Sequence, residues 1–133
     1  MLKIVRWGIL GLGNIAQKFA DDLKLVPDCK LEAVASSNSA RARNFADTYK
    51  VNRFYDNYHD LFKDPKVDII YIASLNNNHY EHSIQAIKNN KAVLCEKPLA
   101  INKSQVEDLL QLSNKKRVFL MEALWTRFNP VFD

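Results

Sequence analysis

The chain has 133 residues, a formal net charge of +4 and 47% hydrophobic residues, a composition typical of a globular domain with an apolar core. No apolar run approaches the roughly 20 residues that span a bilayer, and Lys3 and Arg6 interrupt the apolar N-terminus. A membrane segment and a signal peptide are therefore not expected. Cys29 and Cys95 form neither a metal-type pair nor a disulfide framework, so we expect a cytoplasmic protein.

The basic residues are dispersed along the chain, and the one tight run, at residues 115–117, stands where a helix should end. Cations at that position complement the helix dipole. A solvated helix terminus explains the run, and a nucleic-acid partner is not expected.

An apolar segment at residues 4–10 leads directly into a glycine turn with the pattern G-x-G-x-x-A, and a helical pattern follows. Strand, glycine turn and helix together are typical of dinucleotide binding. The first glycine permits the sharp turn, the second lets a pyrophosphate approach the backbone, and the small third residue lets the helix pack on the strand. An ordinary turn without a ligand is the alternative. The residues expected to contact a dinucleotide are Gly11, Leu12, Gly13, Asn14 and Ile15.

Strands and helices alternate along the rest of the chain. The first helix has Ile15, Phe19 and Leu23 on one face. Further strands are predicted at residues 31–35, 53–55, 67–73, 91–95 and 118–121, and further helices near residues 42–49, 58–62, 79–88 and 102–114. The pattern predicts an α/β fold, a doubly wound parallel sheet of the Rossmann type with strand order 3-2-1-4-5-6. A ligand should lie beyond the carboxyl ends of the strands.

The second strand ends in the neutral residues Ser36, Ser37 and Asn38, and Arg41 follows one turn into the next helix. A carboxylate at this place binds the ribose 2′-hydroxyl of NAD, whereas hydroxyl groups, free amides and a guanidinium suit the 2′-phosphate of NADP. We therefore expect NADP, with NAD as the alternative. The alternative is an ordinary helix cap formed by Asn38 or Ser39, and the cap and the phosphate site can occur together.

The fourth strand ends in a polar loop that should pass the nicotinamide ribose, and the residues expected there are Ser74, Leu75, Asn76 and His79. His79 and His82 form an H-x-x-H pair on one helix face. Catalytic zinc needs three protein ligands, and no third ligand has suitable spacing. We therefore expect no metal site.

The fifth strand ends in Glu96, Lys97 and Pro98. A lysine at the carboxyl end of a central strand can polarise a carbonyl group or relay a proton, so Lys97 is the candidate catalytic residue. Glu96 could orient the amine or bind the cofactor. An ordinary surface turn is the alternative.

Trp125 and Arg127 follow the sixth strand and suit a ligand wall, Trp125 by stacking and Arg127 by binding an anion or amide. The alternative is an aromatic patch that covers the sheet edge or an interface.

Together these motifs resemble the Gfo/Idh/MocA family of oxidoreductases over essentially the whole chain, with Glu96-Lys97-Pro98 as the family signature. Residues 121–128 are similar to its trans-1,2-dihydrobenzene-1,2-diol dehydrogenase / NADP-dependent D-xylose dehydrogenase branch. The resemblance implies that Lys97 lies at the reaction centre and that the glycine turn binds the pyrophosphate. It also implies that His79, Trp125 and Arg127 lie near the nicotinamide. Two positions depart from the branch, since Ser37 replaces an arginine and Leu75 replaces a proline.

The resemblance further implies that residues 1–123 form the dinucleotide-binding domain and that residues 124–133 begin a connection to a substrate domain absent from this chain. We expect an oxidoreductase that transfers a hydride between NADP and a small carbonyl, diol or sugar. Alone, the chain should be inactive and should self-associate through Trp125, Phe128 and Phe132. The alternatives are a stand-alone nucleotide-binding module without turnover and an interaction fragment.

Overall fold

A computed structural model describes residues 2–132, apart from the side chain of Phe132. Six parallel strands form one sheet in the order β3-β2-β1-β4-β5-β6, which confirms the predicted doubly wound topology. The strands are β1 (Val5–Leu10), β2 (Cys29–Ala35), β3 (Arg53–Tyr55), β4 (Ile69–Ile72), β5 (Ala92–Glu96) and β6 (Leu120–Ala123). The helices are α1 (Asn14–Leu23), α2 (Ser39–Tyr49), α3 (Tyr58–Lys63), α4 (His79–Lys88) and α5 (Lys103–Lys116).

Helices cover both faces of the sheet and bury its apolar side chains in two layers. Helices α1 and α2 pack over Ile9 and Val34. Helices α3, α4 and α5 pack over Leu10, Ile70 and Ile72 on the other face. Because all four β4 residues are buried, β4 consists of aliphatic and aromatic residues with no polar alternation. The strands are in parallel register, so the carboxyl ends of β1, β2 and β4 meet at Leu10, Ala35 and Ile72.

Polar residues cap several of the helices. Asn38, Asn57 and Asn102 cap α2, α3 and α5, each accepting a hydrogen bond from an amide three residues on. The chain makes a left-handed turn after α4 at Asn90, with φ +60°. Arg117 ends α5 with φ +54°, and Lys115 and Lys116 lie in its last turn, as the dipole argument predicts.

Several elements differ from their predicted bounds by one or two residues, and the differences at α1 and β6 have a clear physical reason. Helix α1 buries Ala16, Ala20 and Leu23, whereas Ile15 is 45% exposed. Small alanines let this helix lie close to the sheet, and the larger Phe19 turns toward the side of β4 and β5. The sixth strand begins at Leu120 and not at residue 118, because the amide of Val118 bonds to the carbonyl of Ser113 and completes the end of α5.

In the part of the chain that the structure describes, no helix combines the length and the apolar character needed to cross a membrane.

Candidate functional site

The glycine turn between β1 and α1 is built against the end of β4. Gly11 has φ +90°, and a Cβ there would lie 2.8 Å from the Ala73 carbonyl carbon and the Ser74 nitrogen. Gly11 is therefore required by the fold itself, for its backbone angle and for the close approach.

Gly13 has a different role, because nothing lies within 4 Å of the place where its Cβ would be. It precedes α1 in extended conformation, and α1 receives no side-chain cap. The helix therefore begins with free amides in front of open space, which is the arrangement that binds phosphate groups. Asn14 and Ile15 are exposed beside it, and Leu12 is buried beneath it. These residues fit the pyrophosphate of a dinucleotide.

The end of β2 is organised by its own side chains. The buried hydroxyl of Ser36 accepts a hydrogen bond from the amide of Asn38 at 3.1 Å, and the Asn38 side chain accepts one from the amide of Arg41 at 2.9 Å. The predicted capping of α2 is therefore confirmed for Asn38. The side chains of Ser37 and Arg41 stay exposed.

Arg41 and Asn38 line a groove of about 450 Å³ between α1 and α2, which reaches Leu12 in the glycine turn. Its described lining contains no carboxylate. A guanidinium at the mouth of a groove without acidic groups suits an anion.

The loop after β4 presents Leu75 and Asn76 to solvent, with Ser74 half-buried behind them. His79 is only 1% exposed. Its Nδ1 lies 2.7 Å from the Pro98 carbonyl oxygen and its Nε2 lies 2.9 Å from that of Ser74. Both ring nitrogens thus already have carbonyl partners, and the ring is buried beneath the loop after β4.

Residues 96–99, at the end of β5 and just after it, form what we call the β5 turn. Glu96 and Lys97 are neighbours in this turn but have different surroundings. Glu96 accepts a hydrogen bond from the Tyr71 hydroxyl. The pKa of Tyr71 is raised mainly by burial and, to a smaller extent, by this hydrogen bond. Lys97 is exposed and joined to Pro98 by a cis peptide bond. Burial also raises the pKa of the preceding Cys95 to about 12, so that thiol stays protonated and unreactive.

A cleft of about 530 Å³ opens between α1, the β5–β6 side of the sheet and the turn after β6. We call it the β5–β6 cleft. Its walls include Ile15, Phe19, Tyr71, Glu96, Glu122, Trp125 and Phe128. Arg127 lies in the same turn as Trp125, outside this lining, and both are exposed. Phe132, expected beside them, has its side chain outside the described part.

Sequence reasoning missed the residues that connect these turns. Glu122 on β6 accepts a hydrogen bond from the Leu99 amide at 2.7 Å and so holds the β5 turn. Tyr71 was detectable as the one hydroxyl-bearing residue in an otherwise aliphatic strand. His82, considered above only as a metal ligand, is hydrogen-bonded to the Ser74 hydroxyl at 2.8 Å. Among residues 2–132, no group of three or more His, Cys, Asp or Glu is arranged to hold a metal ion.

Comparison with known proteins gives consistent matches. The chain is 40% identical over 130 residues to trans-1,2-dihydrobenzene-1,2-diol dehydrogenase from Xenopus laevis, covering 96% of this chain and 39% of that protein. The crystal structure of a probable dehydrogenase from Thermotoga maritima superposes with a TM-score of 0.89 at 34% identity, over 93% of this chain and 37% of that one.

A 3-ketoreductase from Actinomadura kijaniata, solved in complex with NADP and TDP-benzene, superposes with a TM-score of 0.86 at 28% identity, over 90% of this chain and 37% of that one. The chain thus spans about two fifths of the length of these relatives. The model of the Gfo/Idh/MocA oxidoreductases, described as an NAD-binding Rossmann fold, matches residues 5–124. The match covers most of the chain, the glycine turn and the Glu96-Lys97-Pro98 turn included, so this protein belongs to the Gfo/Idh/MocA oxidoreductase family and contains its Rossmann domain.

Proposed function

We propose that this domain binds a nicotinamide dinucleotide across the carboxyl edge of its sheet, with NADP preferred to NAD. The observation that carries the proposal is the uncapped start of α1 behind Gly13, where free amides face open space. Three other helices of the chain receive an asparagine cap at this place. The amides of α1 would bond to the pyrophosphate.

The preference for NADP is supported by the β2 end. Ser37 and Arg41 are exposed there, and the groove between α1 and α2 has no carboxylate in its described lining to repel a 2′-phosphate. The 3-ketoreductase relative was solved with NADP. Residues Ser36 and Asn38 act indirectly, since their mutual hydrogen bonding shapes the loop that presents Ser37.

The remaining candidate contacts belong to the same proposal. Ser74, Leu75 and Asn76, in the loop after β4, would contact the nicotinamide ribose, and Glu96 and Trp125 line the β5–β6 cleft. Arg127 adds a cation at the rim of the cleft. For His79 the support is indirect, because its ring is buried under the loop that it holds.

We further propose that, in a protein extended to the length of its relatives, this domain serves an oxidoreductase acting on a small carbonyl, diol or sugar. When bound, the nicotinamide supplies or accepts the hydride. Lys97 would hold or release a proton at the substrate oxygen, because its ammonium is exposed at the carboxyl edge. The diol dehydrogenase and ketoreductase names of the relatives support this substrate class.

Calorimetric titration with NADPH and NADH tests the cofactor proposal. We expect NADPH to bind more tightly by about 1–3 kcal/mol, the scale of charge-assisted hydrogen bonds to the additional phosphate. Arg41→Ala should remove the difference. Arg43→Ala is the matched control on α2, because Arg43 lies over the ring of Phe54 and away from the groove. Equal affinities for both cofactors in the unmodified chain would refute the preference.

A second role, self-association, is favoured by the apolar residues after β6. Trp125 is 70% exposed and Phe128 is 67% exposed, and Val131 is exposed beside them. Exposed apolar surface of this kind recruits partners. We propose that the chain alone associates with itself and oxidises no NADPH. Light scattering at several concentrations together with a turnover assay tests this, and a strictly monomeric species or saturable turnover would contradict it.

The proposed location is the cytoplasm, with small-molecule ligands and without nucleic-acid or membrane partners. Support comes from the two free thiols, Cys29 and Cys95, since a reducing compartment keeps cysteines unpaired. Imaging of a tagged chain in cells checks the location.

A further inference from the structure

The H-x-x-H pair of α4 points at the loop after β4. His79 Nε2 lies 2.9 Å from the Ser74 carbonyl oxygen, and His82 Nδ1 lies 2.8 Å from the Ser74 hydroxyl. One residue of the loop is thus held at two atoms by two rings that are one helical turn apart.

His79 also connects a second turn, because its Nδ1 lies 2.7 Å from the Pro98 carbonyl oxygen. Carbonyl oxygens only accept hydrogen bonds, so a ring nitrogen that bonds to either carbonyl is the donor of that bond. Among the residues that the structure describes, His79 is the one side chain hydrogen-bonded to both the β4 loop and the β5 turn.

Both connected segments lie at the carboxyl edge of the sheet, where we propose that the dinucleotide binds. The Ser74 amide nitrogen is in close contact with Gly11, where an added Cβ would lie 2.8 Å away. Pro98 directly follows Lys97, and the amide of the next residue, Leu99, donates a hydrogen bond to Glu122. A shift of the His79 ring would therefore move both the glycine turn and the segment that carries Lys97.

The ring of His82 lies against aromatic side chains. Tyr58 packs edge-on against His82 at 4.8 Å between ring centres, and Phe62 lies farther off. Burial lowers the pKa of His82, although the charge of Glu81 opposes this. A neutral His82 ring offers one nitrogen as acceptor, which suits a bond from the Ser74 hydroxyl.

We infer that His79 and His82 are positioning residues, which together set the Ser74 loop and the Lys97-Pro98 turn in the geometry that receives the dinucleotide. This inference rests on the proposed function. It assigns to the H-x-x-H pair a task in ligand binding that needs neither a metal nor direct contact with the ligand.

Fluorescence titration of the 133-residue chain with NADPH tests the inference. His79→Ala should weaken binding by about tenfold or more, the scale of one lost organising interaction. His79→Gln keeps a donor near the Nε2 position and should recover most of the affinity. His79→Asn keeps a donor near the Nδ1 position only, toward Pro98, and should recover less. His82→Phe should weaken binding by a few-fold, and His82→Asn, which restores an acceptor near Nδ1, should reverse this.

Two controls separate positioning from general loosening. His59→Ala alters the exposed third histidine of the chain and should leave the affinity unchanged. Leu109→Ala removes a fully buried side chain of α5 and should lower stability without changing NADPH affinity at a temperature where it is folded.

The outcomes are distinct for the two claims. If the unmodified chain fails to bind NADPH, the proposed function falls and the inference falls with it. If the unmodified chain binds but folded His79→Ala binds equally well, the inference alone is overturned. Equal weakening by Leu109→Ala and His79→Ala would also overturn it, whereas recovery by the glutamine variant supports it.

Discussion

The two ends of the same sheet use polar residues in opposite ways. At the amino ends, Arg6 forms two side-chain hydrogen bonds to Asp68 at 2.9 and 3.1 Å, and Arg53 does the same with Asp64 at 2.8 and 2.9 Å. Lys91 is buried there and donates to the carbonyl oxygens of Asp64 and Val67.

At the carboxyl ends, two groups of donors are left open. Lys97 forms no ion pair with any residue that the structure describes, and the first amides of α1 face space in front of Gly13. The charged residues at the amino ends are thus paired within the fold, whereas Lys97 at the carboxyl ends is exposed. Lys91 and Lys97 are six residues apart on either side of β5: Lys91 donates to two carbonyl oxygens, whereas Lys97 has the exposed ammonium for which we propose a role in ligand chemistry.

The largest effect is expected at the amino ends. Asp64→Ala should lower the free energy of unfolding by about 3 kcal/mol, because it leaves Arg53, the Tyr55 hydroxyl and the Lys66 amide without their acceptor. Urea denaturation measures it. Asp47→Ala on the exposed side of α2 is the control and should change stability by less than about 0.5 kcal/mol. A similar loss of unfolding free energy in both variants would show that the paired Asp64 contributes no more to stability than an exposed carboxylate.

A paired lysine exchange should separate chemistry from stability. In a form extended to the relatives' length, Lys97→Met should reduce turnover by about a hundredfold or more, the scale of a lost acid–base group. Its NADPH affinity and melting temperature should stay close to the unmodified values. Lys91→Met should do the reverse and lower stability by about 1–3 kcal/mol, since two carbonyl oxygens lose their donor. Near-normal turnover in Lys97→Met would mean that this lysine is only part of a surface turn.

Gly11 and Gly13, two residues apart in the same turn, also differ in whether they serve stability or the proposed ligand site. Gly13→Ala should weaken NADPH binding by about tenfold or more, because its methyl group would occupy the space that the pyrophosphate needs. Stability should change little. Gly11→Ala should instead lower stability, by about 3 kcal/mol, through its positive φ and its 2.8 Å contacts with Ala73 and Ser74. Titration and thermal denaturation of both variants check this, and an unaltered NADPH affinity in Gly13→Ala would count against the phosphate site.

Much of the fold could be predicted because its signals are local. The strand–glycine–helix sequence, the apolar run of β4 and the Asn38 cap each depend on a few neighbouring residues. The alternation of elements then limits the topology to few arrangements, and the structure has the predicted strand order.

The interior of the site could not be predicted in the same way, because its contacts join distant residues. Tyr71 and Glu96 are 25 residues apart, and Leu99 and Glu122 are 23 apart. The polar loop and the family resemblance put His79 near the nicotinamide, but neither could indicate that the packing of α4 against two turns buries its ring. The orientation of Ile15 and Phe19 likewise depends on which residues of α1 meet the sheet.

The smallest effect is expected from pH, and it belongs to the amino ends. Hydrogen bonds from Arg6 hold the pKa of Asp68 below its usual range; at Asp64 burial opposes the shift, but hydrogen bonds from Arg53, the Lys66 amide and Tyr55 outweigh it. A carboxyl group with a depressed pKa in the folded state stabilises the fold above its unfolded pKa of about 3.9. This stability is lost as pH falls through the folded value. We expect the free energy of unfolding to decline below about pH 5 with a slope of at most about 1.4 kcal/mol per pH unit for each carboxylate. Urea titrations between neutral and acid pH measure the slope, which should become shallower in Asp68→Asn. The same slope in Asp68→Asn and in the unmodified chain would show that other groups set the acid limit.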